Sequence, residues 1–177
     1  MSTIIDTVKI EKGKITTLIG ERQIGITTYL CNLAKELSST NDSFKTLIVS
    51  WCEDAVKMTV EKYREINGFN KNIEQCTIKK LNNKIVGKRY DLIICDCLNC
   101  EENNDYIFQL KKIMPDTKII IGVTSENIAF DSNINNNIRN NFIIKSDYAY
   151  YFTLTYNHML IKYDILEDVL SNKIKKR

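Results

Sequence analysis

The chain has 177 residues, 44% of them hydrophobic and 27% charged, with a formal net charge of +3. That is enough apolar material for one domain with a core, and no strong basic field points to a nucleic-acid coat. No apolar run approaches the ~20 residues needed to cross a bilayer, and the opening "MSTIIDTVKIEKGK" lacks the basic-then-apolar order of a signal peptide. The expectation is a soluble, cytoplasmic protein with no membrane partner, whose six cysteines stay reduced.

Four short β-branched runs recur along the chain. They are "KITTLIG" (14–20), "KTLIVSW" (45–51), "YDLIICD" (90–96) and "TKIIIGVT" (117–124). Continuous Val/Ile/Leu runs, as opposed to alternation, indicate strands buried on both faces. Between them, "TTYLCNLAKELSS" sets Tyr29, Leu30, Leu33 and Leu37 on one helical face. "DAVKMTVEKYREI" does the same with Val56, Val60, Tyr63 and Ile66 behind an N-cap at Asp54. "NDYIFQLKKIM" offers Ile107, Leu110 and Met114 before Pro115 stops it. Strand–helix alternation of this kind predicts an α/β fold with a mostly parallel central sheet. The polar stretch 125–141 reads as loop. Two further strands follow, "FIIKSDYAYYFTLTY", broken near Ser146–Asp147, and "HMLIKYDIL", which would form a C-terminal antiparallel β-hairpin at one sheet edge. Residues 168–177 read as a basic tail.

The stretch "LIGERQIGITTYL" follows the first strand and opens the first helix. It matches the phosphate-loop template G-x-x-x-x-G-K-[ST] at Gly20, Gly25 and Thr27, with Thr28 beside it. In such a loop, glycines let backbone N–H groups close around phosphates, and the helix N-terminus adds its dipole. The lysine position holds Ile26. Further on, "YDLIICDCLN" ends an apolar strand in Asp96, the arrangement in which a carboxylate holds Mg²⁺ through water. A plain Gly-containing strand–helix turn, and an Asp at a strand end, would produce the same two patterns.

Taken in order, these segments resemble the RecA-like P-loop ATPase core, and within it most closely the C-terminal domain of DnaB-type replicative helicases. "GKITTLIGERQIGITTYLCNLA" looks like that family's strand, phosphate loop and helix, and "TLIVSWCED" like its second strand ending at a catalytic glutamate. "YDLIICDCLN", "KIIIGVTSEN" and "KSDYAYYFTLTY" look like the strands that follow. The resemblance spans roughly residues 10–166 and implies a single, three-layer RecA-like domain. It further implies that Thr27 ligates Mg²⁺, that Asp96 holds it through water, and that Glu53 activates the attacking water. Ser125 and Glu126 would form the polar sensor. Glu53 stands one residue late, with Cys52 in its place.

The departures from the family cluster at charged positions. Ile26 replaces the lysine that reaches the β- and γ-phosphates, and its β-branched bulk is expected where the phosphates would lie. Glu126 stands where glutamine is usual. Near "IKYDI", Lys162 matches a lysine-x-arginine pair whose arginine position holds Asp164. All three changes disfavour ATP. The resemblance with these losses implies a degenerate Walker A motif and a pseudoenzyme, with no cofactor expected. Its partner would be another RecA-fold protein or copies of itself, in DNA replication or recombination. Arg22 offers an alternative: folded over the loop, it would supply the missing charge for Mg-ATP binding or slow hydrolysis.

Other features have plainer readings beside the functional ones. Cys95, Cys97 and Cys100 tempt as a zinc cluster, but no second pair stands at ligand spacing, and Cys31, Cys52, Cys76 and His158 are scattered. Buried small apolar side chains account for them. Tyr148, Tyr150 and Phe152 alternate with Ala149, Tyr151 and Thr153, as a stacking platform for single-stranded DNA would; a core strand does so too. Lys173, Lys175, Lys176 and Arg177 would touch phosphate backbones or simply be solvated. Heavy use of Asn, Ile and Lys suits an AT-rich genome, viral or phage, in which case the compartment is the host cytoplasm.

Overall fold

The computed structural model describes residues 8–21, 25–96, 105–125, 145–152 and 160–161. The β-branched runs become strands, and the amphipathic segments between them become the helices that cover those strands. In chain order these are β1 (Ile15–Glu21), α1 (Ile26–Ser38), β2 (Thr46–Ser50), α2 (Glu53–Asn67), β3 (Ile73–Thr77), α3 (Leu81–Ile85), β4 (Leu92–Cys95), α4 (Asp105–Ile113), β5 (Lys118–Ser125), β6 (Tyr148–Phe152) and β7 (Leu160–Ile161). A 3₁₀ turn, Ile78–Lys80, leads into α3.

The strands form one seven-stranded sheet in the order β3-β2-β4-β5-β1-β6-β7. Every pairing among the first six is parallel. β7 alone runs antiparallel, against β6, through Tyr151↔Ile161 and Phe152↔Leu160. That is the expected edge pairing; the connection between these two strands lies outside the described residues. β6 starts at Tyr148, as the Ser146–Asp147 break predicts.

A sheet buried on both faces needs helices on both faces, and the core divides accordingly. On one face Leu18, Ile48, Leu92, Ile94, Ile120 and Tyr150 pack with α1 and α2. On the other, Ile19, Val49, Ile93, Cys95, Ile119 and Ile121 pack with α3 and α4. The result is the three-layer α/β/α sandwich read from the sequence.

Two details differ from the sequence reading. β3 was not foreseen: "IEQCT" is an edge strand with three of its five residues at least partly exposed, so it lacks the apolar run that marks buried strands. The N-cap of α2 is Cys52, with no side-chain cap bond, and Asp54 lies one residue into the first turn. There it is placed to complement the helix dipole. Of the two readings of the aromatic strand, core packing holds at Tyr150: it is 3% exposed, its hydroxyl accepts from the Lys9 backbone N–H at 3.0 Å, and the Lys9 ammonium lies over the half-buried Tyr148 ring.

Candidate functional site

In a parallel sheet all strand ends of one kind lie at one edge, and ligands of open α/β sheets bind at the carboxyl edge. β1, β2, β4 and β5 bring Gly20, Ser50, Asp96 and Ser125 to that edge. Gly20 pairs with Thr124, and Glu21 with Ser125, so the sensor position lies beside the start of the loop. Arg22 and Glu126 lie outside the described residues, as do Cys97, Cys100, His158, Lys162, Asp164 and the basic tail.

The chain turns into α1 at Gly25, whose φ of 100° is left-handed backbone that suits glycine. A Cβ there would meet nothing within 4 Å, so backbone conformation alone selects the residue. Ile26 follows and turns inward. It is 3% exposed, belongs to the α1–α2 face of the core, and sets its Cγ2 methyl against Gly122 of β5. This corrects the expectation that its bulk fills the phosphate position: a β-branched apolar residue gains more by packing with Leu30 than by standing over a polar loop. Thr28 is exposed on the first turn of α1.

Thr27 and Asp96 meet as the resemblance implies. Thr27 Oγ1 donates to Asp96 Oδ2 at 2.7 Å, across 69 residues of chain. Asp96 is 1% exposed, and its own N–H donates to Val49 O at 2.9 Å. A second donor was not foreseen. Thr59, on the buried face of α2, donates to the same oxygen at 2.9 Å. The signal available in sequence was a polar residue among the buried positions Ala55, Val56, Val60 and Tyr63. A hydroxyl there must find a partner. Among the described residues no lysine or arginine is hydrogen-bonded or ion-paired to Asp96.

Cys31 packs behind this cluster, its Sγ 3.9 Å from Thr59 O. Burial, and then the negative charge of Asp96, push its thiol up to about 12, so it is inert at neutral pH. Cys95 is wholly buried on the opposite face, its thiol raised chiefly by burial. Among the described residues no group of three or more His, Cys, Asp and Glu side chains converges on a metal position.

Glu53 does not join the site. It opens α2 on the surface, and its carboxylate pairs with Lys80 at 2.7 Å, both side chains more than 60% exposed. An exposed pair of this kind is weak; it sets the Glu53 carboxylate beside the turn that follows β3.

The residues fit Mg-ATP only in part. A carboxylate and a hydroxyl in contact are the right donors for a hydrated Mg²⁺, and Ser50, fully buried with an unpartnered Oγ, adds a polar group at the same edge. The described part of the site offers a triphosphate no cation, and Ile26 belongs to the core. Arg22, the residue that would supply a cation, lies outside the described residues.

No protein-family model matches the chain, and no curated protein matches it in sequence. Among the solved structures similar to it are the following two. The flagellar accessory protein FlaH from Methanocaldococcus jannaschii is 19% identical over 88% of this chain and 81% of that one, with a TM-score of 0.49. The Hef helicase domain from Pyrococcus furiosus is 13% identical over 78% of this chain, with a TM-score of 0.55. This chain covers 35% of that longer one. Among the described residues no helix is long and apolar enough to cross a membrane. The strand order, the two helical layers and the likeness to the helicase domain make this an α/β protein of RecA-like fold.

Proposed function

We propose that the chain is a catalytically degenerate RecA-like domain, nearest in kind to the DnaB-type helicase core. It acts as a non-hydrolysing subunit or accessory factor in DNA replication or recombination. The observation that carries this reading is Ile26: the residue at the loop's lysine position is apolar and packed in the core. The pairing of Glu53 with Lys80 supports it. A RecA-fold partner, or further copies of this chain, would then supply any active nucleotide site, with DNA as the shared substrate. No cofactor is required for this role.

The competing reading keeps Mg-ATP and lets Arg22 stand in for the lysine; the left-handed turn at Gly25 is the feature that favours it. A thermal melt with and without millimolar Mg-ATP separates the two. A ligand at one hundred times its Kd stabilises by about 2.7 kcal/mol, and at this size each kcal/mol moves the midpoint by roughly 2–4 °C. The proposed role predicts an unmoved midpoint. A rise of several degrees overturns it and makes Arg22 the next residue to replace.

A further inference from the structure

We propose that Thr59 closes the Asp96 carboxylate to divalent cations, so that Thr27, Asp96 and Thr59 form a metal-independent clasp joining β4 to α1 and α2. The inference rests on the reading of a non-hydrolysing site and assigns the residue that removes Asp96 from metal service.

The argument starts from the carboxylate's needs. A buried anion must be matched by charge or by several donors. Asp96 meets that need with hydroxyls: Thr27 Oγ1 at 2.7 Å and Thr59 Oγ1 at 2.9 Å, both on Oδ2. A carboxylate oxygen accepts about two hydrogen bonds in its plane, so Oδ2 is saturated. The residue is only 1% exposed, and its other oxygen, Oδ1, faces β5 at Gly122. A metal-bound water that approaches Oδ2 therefore meets two donors already in place.

Thr27 and Thr59 differ in what displacement means. A hydroxyl that ligates a cation through its lone pair can still donate its proton to the carboxylate, so the Thr27 bond is compatible with a metal. Thr59 is on the other helix and only competes. Its single proton has two acceptors in reach, Asp96 Oδ2 at 2.9 Å and Ala55 O at 3.0 Å. The charged acceptor forms the stronger bond, so without a cation the proton goes to Asp96. The clasp also has a structural purpose: α1 and α2 both close over the sheet at this point, and the two bonds fix their separation.

The test uses the full chain without nucleotide, and Mg²⁺ alone as probe, with NaCl of equal ionic strength as control. Wild type should show no rise in Tm with millimolar Mg²⁺. Thr59→Val keeps the shape and removes the donor; its Tm should fall by roughly 5 °C in chelator and recover most of that in Mg²⁺ but not in NaCl. Thr59→Ser should behave as wild type, and adding Asp96→Asn to Thr59→Val should abolish the recovery. A flat Mg²⁺ response of Thr59→Val, or a wild type that responds equally, overturns the proposal. Should Thr59→Val not fold in chelator, refolding yield decides: recovery in Mg²⁺ alone supports the competition, and recovery in both salts or neither overturns it. Because no nucleotide is present, failure here leaves the Mg-ATP melt to judge the wider role separately.

Discussion

Gly122 of β5 lies under the Asp96 carboxylate so closely that a Cβ on it would stand 3.1 Å from Asp96 Oδ1, 3.0 Å from Ile26 Cγ2 and 2.9 Å from Leu30 Cδ1. One glycine thus lets the first turn of α1 and the end of β4 approach the same strand. The backbone at Gly122 is ordinary extended strand, so its selection is a matter of space.

Gly122→Ala should therefore act as an overpacking change. The Leu30 methyl can move aside, but Asp96 is held by two hydroxyls and Ile26 by the core. Crowding of this kind costs about 1–3 kcal/mol. Urea unfolding should show a lower midpoint with an unchanged slope. A variant as stable as wild type would mean that α1 lifts away from β5 freely.

A second, half-buried carboxylate fixes the other end of the sheet. Asp147 Oδ2 accepts from the Ile15 N–H at 2.9 Å, Asp147 N donates to Ile15 O at 3.0 Å, and Lys111 lies 3.3 Å from both carboxylate oxygens. β6 is thereby clamped to the start of β1. Asp147→Ala leaves the buried Ile15 N–H without its partner and should cost about 1–3 kcal/mol. Asp147→Asn keeps an acceptor and should cost less, and Lys111→Met, which removes only a partly exposed ion pair, less than about 1 kcal/mol. Equal losses in all three would show that charge, and not the Ile15 bond, holds the strand.

The sequence carried the fold wherever burial was two-sided. The runs that became β1, β2, β4 and β5 are apolar because helices cover both faces, and their order alone implied a parallel sheet. β3 escaped because an edge strand needs little apolar surface. At the site, Gly25, Thr27 and Asp96 were legible because a loop template fixes their spacing. Thr59 was not, since no local pattern says that a helical threonine 37 residues from an aspartate will reach it. Ile26 was legible as a missing charge but not as a core residue, because the direction of its side chain is set by Gly122 and Leu30, which only the fold brings near.

On the outer strand, the Tyr90 hydroxyl donates to Glu74, and Lys88 pairs with it at 2.9 Å. These bonds, Tyr90 first, hold the Glu74 carboxyl below its ordinary 4.5. A depressed carboxyl contributes stability that is present above its unfolded value and lost as pH falls through the folded one. Burial and then Glu74 raise the Tyr90 hydroxyl, so that contribution is present below its ordinary 10.0 and lost at higher pH. Tyr90→Phe should lower Tm at neutral pH, with the gap to wild type narrowing in acid, below the ordinary 4.5, as Glu74 becomes protonated in both proteins. Parallel profiles on the acid side would rule out the Tyr90–Glu74 bond as a source of stability.

Ile26→Lys restores the residue that a phosphate loop would carry, and the fold argues that it will not restore an active site. Position 26 is 3% exposed, so the new ammonium either enters the apolar layer beside Gly122 and Leu30 or drags the first turn of α1 outward. Burying an unpaired charge is among the costliest single changes, and a cation at a helix N-terminus also opposes the dipole. The expected loss is about 3 kcal/mol or more, against about 0.5–1.5 kcal/mol for the control Ile26→Val, with no ATP hydrolysis above the wild-type level. A melt and a phosphate-release assay on the same samples decide the matter. If Ile26→Lys is as stable as wild type and hydrolyses ATP, the side chain has found a phosphate instead of the core. The remaining site would then be intact, with hydrolysis lost through position 26 alone.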